Sequence, residues 1–369
     1  MLVHEWLAPR GGSENVFESL THVFPDAARY CLWNESAGRF EVDGETWLAR
    51  TPLRGHKAAA LPLMPAAWRA LPAIDATDAE WILTSSHLFA HHARFAGDAR
   101  SAPKLVYAHT PARYIWNPEL DGRGSSLPAR TVASTLKGLD RRRAQEPVAI
   151  AANSVFVQQR IAEAWHRDST VIHPPVDVAA FQRAARPGER DEQVLAGLPA
   201  TFLLGFSRFI PYKRLELAIQ AGIAADVPVV LAGAGPDEDR LRAYADEHAP
   251  GRVFFVDSPG GELYRALLER SIALVFPAVE DFGIVPVEAM AAGRPVIASA
   301  IGGTTETIVH GTTGALVEDW SPSELRRAVE IAAATIPEAC RAQSELFSEA
   351  VFADSIRSWV ADATGGASA

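Results

Sequence analysis

The stretch Phe276-Pro-Ala-Val-Glu280-Asp-Phe-Gly283-Ile-Val-Pro286-Val-Glu288 decides how the rest of the chain is read. An apolar run, Ile272–Phe276, stops at a proline, which marks the end of a strand. A glycine-containing loop follows, and Pro286 stands where a helix is expected to begin. This strand–loop–helix step repeats on both sides. Strands are expected at Thr201–Phe206, Pro228–Ala232, Val253–Val256 and Pro295–Ser299. Helices are expected at Leu215–Ala225, Asp237–Glu247, Glu262–Arg270, Pro286–Ala292 and Thr304–Val309. Strands alternating with helices predict a parallel sheet covered on both faces. Such sheets take ligands at the carboxyl ends of their strands.

The first half repeats the theme. Leu2–His4, Trp81–Thr84, Lys104–Ala108 and Val148–Ala152 read as strands. Val16, Phe17, Leu20, Val23 and Phe24 fall at helical spacing, with Ser13 as a candidate cap. Asn153–Trp165 reads as a capped helix and Leu346–Val360 as a closing helix; Ala184–Gln193 reads as an exposed loop or short helix. The length, 369 residues, fits two domains. The expected divisions are 1–172, 173–345 and a terminal segment 346–369 packing back on the first domain. Pro174-Pro175 stiffens the junction.

Composition excludes several classes. A hydrophobic fraction of 48% with 22% charged residues is that of a folded chain. A net charge of −10 argues against a nucleic-acid partner. The only cysteines, Cys31 and Cys340, suggest neither a disulfide framework nor a zinc site, so a reducing cytoplasm is the expected compartment. The opening Met-Leu-Val-His-Glu lacks the features of a secretory leader. No run reaches the ~18 apolar residues of a membrane span. The nearest, Ala58–Trp68, is interrupted by Pro62 and Pro65 and bordered by Arg54, His56, Lys57 and Arg69. It reads either as a peripheral membrane-docking surface or as a covered helix.

Five constellations carry chemistry. Glu280 in its loop and Glu288, placed in the first helical turn, would face the ligand crevice, beside the amides of Gly283 and Ile284. Carboxylates accept hydrogen bonds from sugar hydroxyls and helix-start amides favour phosphate, so the set suits a sugar–phosphate ligand. The alternative is that Glu288 offsets the helix dipole and Glu280 is a solvated loop charge. Ser207-Arg208…Lys213 follows a strand and puts two cations at the same edge; Arg suits bidentate phosphate contact. Arg10-Gly11-Gly12-Ser13 lets backbone approach a phosphate, or is only a turn. Gly233-Ala-Gly235 is a second glycine-rich turn without the dinucleotide fingerprint. His109, after a strand, is either structural or catalytic; the Thr84-Ser-Ser86-His87 turn is similar. Asp237-Glu-Asp239 reads as helix-start charge, and no metal is expected.

Together these residues resemble the retaining glycosyltransferases of family 4, over nearly the whole chain from His4-Glu-Trp-Leu to Gly311-Thr-Thr-Gly314. The Glu-x7-Glu element from Glu280 to Glu288 is that family's signature; Ser207-Arg208…Tyr212-Lys213-Arg214, Tyr107-Ala-His109-Thr-Pro and Ala152-Asn-Ser154 also resemble it. The resemblance implies a GT-B fold, two Rossmann-like α/β domains facing a central cleft. It implies hexose transfer with retention from a nucleotide-sugar, with no cofactor. Glu280 would then contact the donor sugar, Glu288 the ribose, and Arg208 and Lys213 the leaving diphosphate, assisted by backbone at Gly11 and Gly12. His109 would lie beside the reaction centre; Gly283, Ile284 and Val285 would offer backbone, and Val256 and Asp257 would lie near the base. Ser207, Gly233 and Phe282 would complete the donor side, with Ser86, His87, Arg113 and Tyr114 on the acceptor side. Leu61-Pro-Leu-Met-Pro65 and Ser85-Ser-His87 resemble the polysaccharide-assembly branch, which points to GDP-mannose as donor, a UDP-sugar next, and a hydroxyl acceptor such as a lipid-linked glycan. Glycosylation of a small natural product, and a GT-B epimerase or phosphorylase, stay as alternatives.

Overall fold

A computed structural model describes residues 1–75, 79–116 and 136–365. The chain divides into two compact units, Met1–Pro175 with the segment from Ala350 onward, and Val176–Glu349.

Unit 1 is built on a seven-stranded sheet. Its strands are β1 (Leu2–His4), β2 (Arg29–Cys31), β3 (Gly44–Glu45), β5 (Ile82–Ser86), β7 (Lys104–Ala108), β8 (Ala149–Ala152) and β9 (Thr170–Val171). A small pair, β4 (Ala73–Ile74) and β6 (Ala96–Gly97), lies apart from it. The order β3-β2-β1-β5-β7-β8-β9 is parallel throughout. β1, β5 and β7 are buried along their whole length, as expected for strands covered on both faces.

Unit 2 carries a six-stranded parallel sheet of β10 (Phe202–Phe206), β11 (Val229–Ala232), β12 (Val253–Val256), β13 (Ser271–Phe276), β14 (Val296–Ser299) and β15 (Gly314–Val317). The order is β12-β11-β10-β13-β14-β15. Helices pack closely on this sheet because small residues face it. A Cβ on Gly222, in the helix Glu216–Ala225, would meet the Val229 side chain at 2.2 Å. The α/β class and the two Rossmann-like domains read from the alternation are those of the structure.

Several local expectations change. The helix Gly12–Val23 is capped at Gly11, not Ser13, whose hydroxyl donates to Glu14 Oε2 instead. Ser154, rather than Asn153, caps Val155–Trp165 by accepting from Val157 N at 3.0 Å. The segment after Ala184 does form a helix, Glu189–Ala196. The closing helix is Glu349–Thr364. Its Phe352, Ile356, Trp359 and Val360 enter the unit 1 core with Leu2, Phe17, Leu83 and Tyr107. Phe347 stands outside that helix and packs in unit 2, its ring 5.5 Å from that of Phe282. Between Pro174-Pro175 and that turn, Val176 N donates to Phe347 O at 2.9 Å.

The apolar stretch Ala58–Trp68 forms two short helices, Lys57–Ala60 and Met64–Ala67. Ala60, Met64, Ala67 and Trp68 are buried in the unit 1 core, leaving Leu63 the exposed large apolar side chain of the stretch. Among the described residues, no helix is long and apolar enough to cross a membrane.

Phe352→Ala should lower stability by about 3–5 kcal/mol through the cavity it leaves. Val351→Ala, on the exposed face of the same helix, should cost less than about 0.5 kcal/mol. Denaturant unfolding followed by tryptophan fluorescence checks both, since all nine tryptophans except Trp320 lie in unit 1.

Candidate active site

Each sheet has one point where the strand order reverses. In unit 2 the chain runs from β10 out to β11 and β12, then returns to β13 on the other side of β10. The loops leaving β10 and β13 therefore diverge and open a crevice at their carboxyl ends. Those loops are Ser207–Arg214 and Pro277–Gly283, the two segments singled out in the sequence. Lys213 ends the short turn Pro211–Lys213, and its Nζ donates to Glu280 Oε1 at 2.5 Å. The pair is largely shielded, at 12% and 18% side-chain exposure, which strengthens its Coulomb attraction relative to a surface bridge. Arg208 is exposed on the same loop.

Glycines from neighbouring loops hold this arrangement. Gly233 has φ +141°, and a Cβ there would lie 1.9 Å from Ser207 O; only glycine lets the β11 loop run under the β10 loop. Gly303 N donates to Glu280 O at 2.9 Å, and a Cβ on Gly303 would lie 2.3 Å from Asp281 O. Gly283, at φ +95°, caps the helix Ile284–Ala291 and delivers the Ile284 and Val285 backbone to the helix N-terminus. Pro286 is thus the third residue of the helix rather than its first.

Glu288 is the fifth residue of that helix, one turn deeper than the sequence suggested, because the helix starts at Ile284. Its Oε2 accepts from the Tyr264 hydroxyl at 3.2 Å, and Tyr264 stacks on Phe206 with ring centroids 3.9 Å apart. Burial raises the Glu288 carboxyl to about 7, against the opposing hydrogen bond from Tyr264. Phe282 is buried in the unit 2 core, so its backbone is what it offers. Val256 is buried at the end of β12, where its carbonyl accepts from Gly233 N at 2.9 Å; Asp257 is exposed.

In unit 1 the reversal lies between β1 and β5. Ser85 Oγ lies 3.0 Å from His4 Nδ1 and 2.8 Å from His109 Nε2. The rings of His4, His87 and His109 stand 5.7–6.4 Å apart by centroid. Burial pushes His87 down to about 3 and His109 to about 4, and holds His4 well below the usual imidazole range. Ser86 is buried, its hydroxyl 3.3 Å from Glu5 Oε1 and 3.1 Å from His91 Nδ1. Glu5 Oε1 also accepts from Leu88 N at 2.9 Å and Ala90 N at 2.6 Å, yet burial raises its carboxyl to about 7. Gly12 opens its helix, exposed, and half-buried Arg113 begins the short helix Arg113–Trp116. The Tyr114 side chain lies outside the described residues.

Among the described residues, one group could hold a metal: His91, His92 and Asp140, fully buried, with donor atoms within 4.8 Å of one another. Asp140 Oδ1 lies 3.1 Å from Nε2 of each histidine, while Oδ2 accepts from Trp116 Nε1 and Trp165 Nε1 at 2.7 Å each. Three N–H donors, His92 Nε2 and the two indoles, satisfy the carboxylate without an ion. Asp237 pairs with Arg240, at 2.7 Å to each carboxylate oxygen.

Residues 189–341 match the family described as Glycosyl transferases group 1. The solved structure of Anabaena Alr3699/HepE in complex with UDP and glucose superposes with a TM-score of 0.68 at 19% identity, covering 98% of this chain and 99% of that one. The fold is GT-B. Among curated relatives, D-rhamnosyltransferase WbpZ of Pseudomonas aeruginosa is 38% identical over 186 residues, covering 49% of this chain and 48% of its own. Alpha-1,3/1,6-mannosyltransferase alg-2 of Neurospora crassa is 30% identical over 205 residues, covering 45% and 44%. The chain spans about half the length of these curated relatives.

Sequence reasoning missed Tyr264, Gly303, His4 and Glu5. Tyr264 is brought to Glu288 only by packing. His4 and Glu5 were legible in principle, since a polar His-Glu at the buried end of β1 needs partners.

Acid should destabilise unit 1. The buried histidines keep lowered values in the fold, so the unfolded chain takes up protons first, and stability falls as pH drops from about 6.5 toward 4. Glu5 acts oppositely, costing stability as pH rises from 4.5 to about 7, but one carboxyl faces several histidines. Tryptophan-monitored unfolding across pH 4–7 checks the sign.

Proposed function

We propose that this chain is a retaining, metal-independent glycosyltransferase that moves a hexose from a nucleotide-sugar to a hydroxyl acceptor. The observation that carries this reading is the Lys213–Glu280 pair at the reversal of the unit 2 sheet, with Arg208 on the same loop and the Ile284–Ala291 helix N-terminus beside it. Departure of a nucleoside diphosphate needs charge stabilisation more than a strong nucleophile. Arg208, Lys213 and the Gly283–Ile284 amides supply it from protein groups alone. Glu280, already held by Lys213, accepts from donor-sugar hydroxyls, and Glu288 accepts from the two hydroxyls of a ribose. Front-face attack by the acceptor on the anomeric carbon, as the diphosphate leaves, retains configuration.

Mannose from GDP-mannose is the favoured donor, supported by the similarity to a mannosyltransferase and by the polysaccharide-branch resemblance. A UDP-sugar is the second reading, favoured by the UDP-bound structural neighbour.

A donor screen by thermal shift tests the nucleotide: a ligand at ~100 times its Kd adds ~2.7 kcal/mol of stability, and no response to GDP- or UDP-sugars removes the reading. With donor and acceptor in hand, Lys213→Ala and Glu288→Ala should each lower kcat by roughly 10²–10³; wild-type turnover in both variants would overturn the assigned roles. Turnover should survive EDTA, and NMR of the product should show the donor's own anomeric configuration.

Nucleoside diphosphate binding should also weaken as pH falls through about 7. A ribose binds the carboxylate form of Glu288, whose buried carboxyl protonates near that pH. Titration calorimetry at pH 6 and 8 should show tighter binding at pH 8 and proton release on binding at pH 6; a pH-independent Kd would remove Glu288 from the ribose.

A further inference from the structure

The Ser85 hydroxyl has one proton to donate and stands between two ring nitrogens, His4 Nδ1 at 3.0 Å and His109 Nε2 at 2.8 Å. Two proton arrangements satisfy this row. In one, His4 Nδ1–H donates to Ser85 and Ser85 donates to His109, which must then carry its own proton on Nδ1. In the other, Ser85 donates to His4, accepts from His109 Nε2–H, and leaves His109 Nδ1 bare.

The far nitrogen of His4 decides between them. His4 is wholly buried and stacked on Phe17 at 4.9 Å, and its Nε2 has no hydrogen-bond partner among the described residues. A proton placed there would be a buried donor with no acceptor. Orphaned N–H groups are rarer and costlier than under-used acceptors. The proton therefore sits on Nδ1 of His4, which fixes the direction of the whole row.

We propose that His4 and Ser85 are positioning residues that lock His109 as the neutral Nδ1–H tautomer, so that its half-buried ring presents a hydrogen-bond donor rather than a base. Burial of both histidines keeps the row uncharged at neutral pH. The groups facing it agree: His87 is also held neutral by burial, and Lys57, over the Trp6 ring at 4.3 Å, further opposes protonation of His87. Resting on the function proposed above, the ligand of His109 Nδ1 is the oxygen of a substrate hydroxyl, which needs a donor from the protein there. Proton abstraction from the acceptor is then not the task of His109.

Long-range ¹⁵N NMR of the full chain labelled at histidine reads each tautomer directly, and the His109→Asn spectrum identifies the His109 signals. Wild type should show His109 as Nδ1–H. Ser85→Ala should convert it to a mixture dominated by Nε2–H, the form free imidazoles prefer, and Ser85→Thr should restore the wild-type pattern. His4→Phe keeps the apolar stack on Phe17, frees Ser85 to point either way, and should also give a mixture. Wild-type His109 found as Nε2–H, or a spectrum unmoved by Ser85→Ala, overturns the proposal. In turnover, Ser85→Ala should lower kcat by roughly tenfold, the worth of one hydrogen bond, with little change in donor KM. A chain that transfers no sugar would sink the proposed function while the tautomer measurement still decides this inference.

Discussion

Strand order in a parallel doubly wound sheet must reverse beside its first strand, and that constraint places nearly everything else in this protein. Once β10 has β11 on one side and β13 on the other, the two following loops leave in opposite directions. The crevice between them must be lined by whatever the sequence puts in those loops, here Arg208, Lys213 and Glu280. The same reversal beside β1 brings His4, Ser85 and His109 into one row. Glycine at 233 and at 303 follows from this geometry, because loops from adjacent strand ends cross at van der Waals contact and leave no room for a Cβ. The glycine-rich turn after β11 thus serves the loop above it before it serves any ligand.

Burying polar groups at strand ends forces a choice that the number of N–H partners decides. Asp140 faces two imidazoles and two indoles, and the imidazoles outweigh burial, holding its carboxyl far below the ordinary range. Glu5 has backbone amides and one serine hydroxyl, and there burial wins. Its Oε2 has no partner among the described residues, which is where the balance tips. Lys104 is the basic counterpart: two carbonyls and Glu146 hold its ammonium, yet burial still lowers it to about 8. Burial thus moves Glu5 and Lys104 from opposite sides toward neutrality, while Asp140 moves away from it.

Five of the six strands of unit 2 were legible because their apolar runs are short, regular and punctuated by Gly or Pro, so they and the helices between them could be placed to within one or two residues; β15 and the helices Pro322–Ala333 and Pro337–Ser344 were not read. Helix starts were less legible. Gly283 begins the Ile284–Ala291 helix two residues before the proline that advertised it, which moved Glu288 from the first turn to the second. The closing helix was read three residues too early, because Phe347 continues its apolar spacing while belonging to the other unit's core. The Lys213–Glu280 contact could be anticipated from two loops at one sheet edge; the Tyr264–Glu288 contact could not, since tertiary packing alone brings residues 264 and 288 together.

The two reversal points differ in kind, and the difference bears on what each can do. That of unit 2 is charged: two cations, one carboxylate already paired, and a second whose burial keeps it near half-protonation at neutral pH. Its balance is positive, which suits a ligand carrying negative charge at the strand ends. That of unit 1 is the reverse, three imidazoles kept neutral by burial. Neutral imidazoles cannot offset a phosphate's charge, and held well below the usual imidazole range they are poor bases at pH 7. What remains to them is directional hydrogen bonding, in which the position of a single proton sets whether a ring donates or accepts. The unit 2 reversal point, with its Arg208–Lys213 loop and helix N-terminus, is chemically suited to charge stabilisation, and the row of neutral imidazoles in unit 1 to hydrogen bonding with uncharged groups.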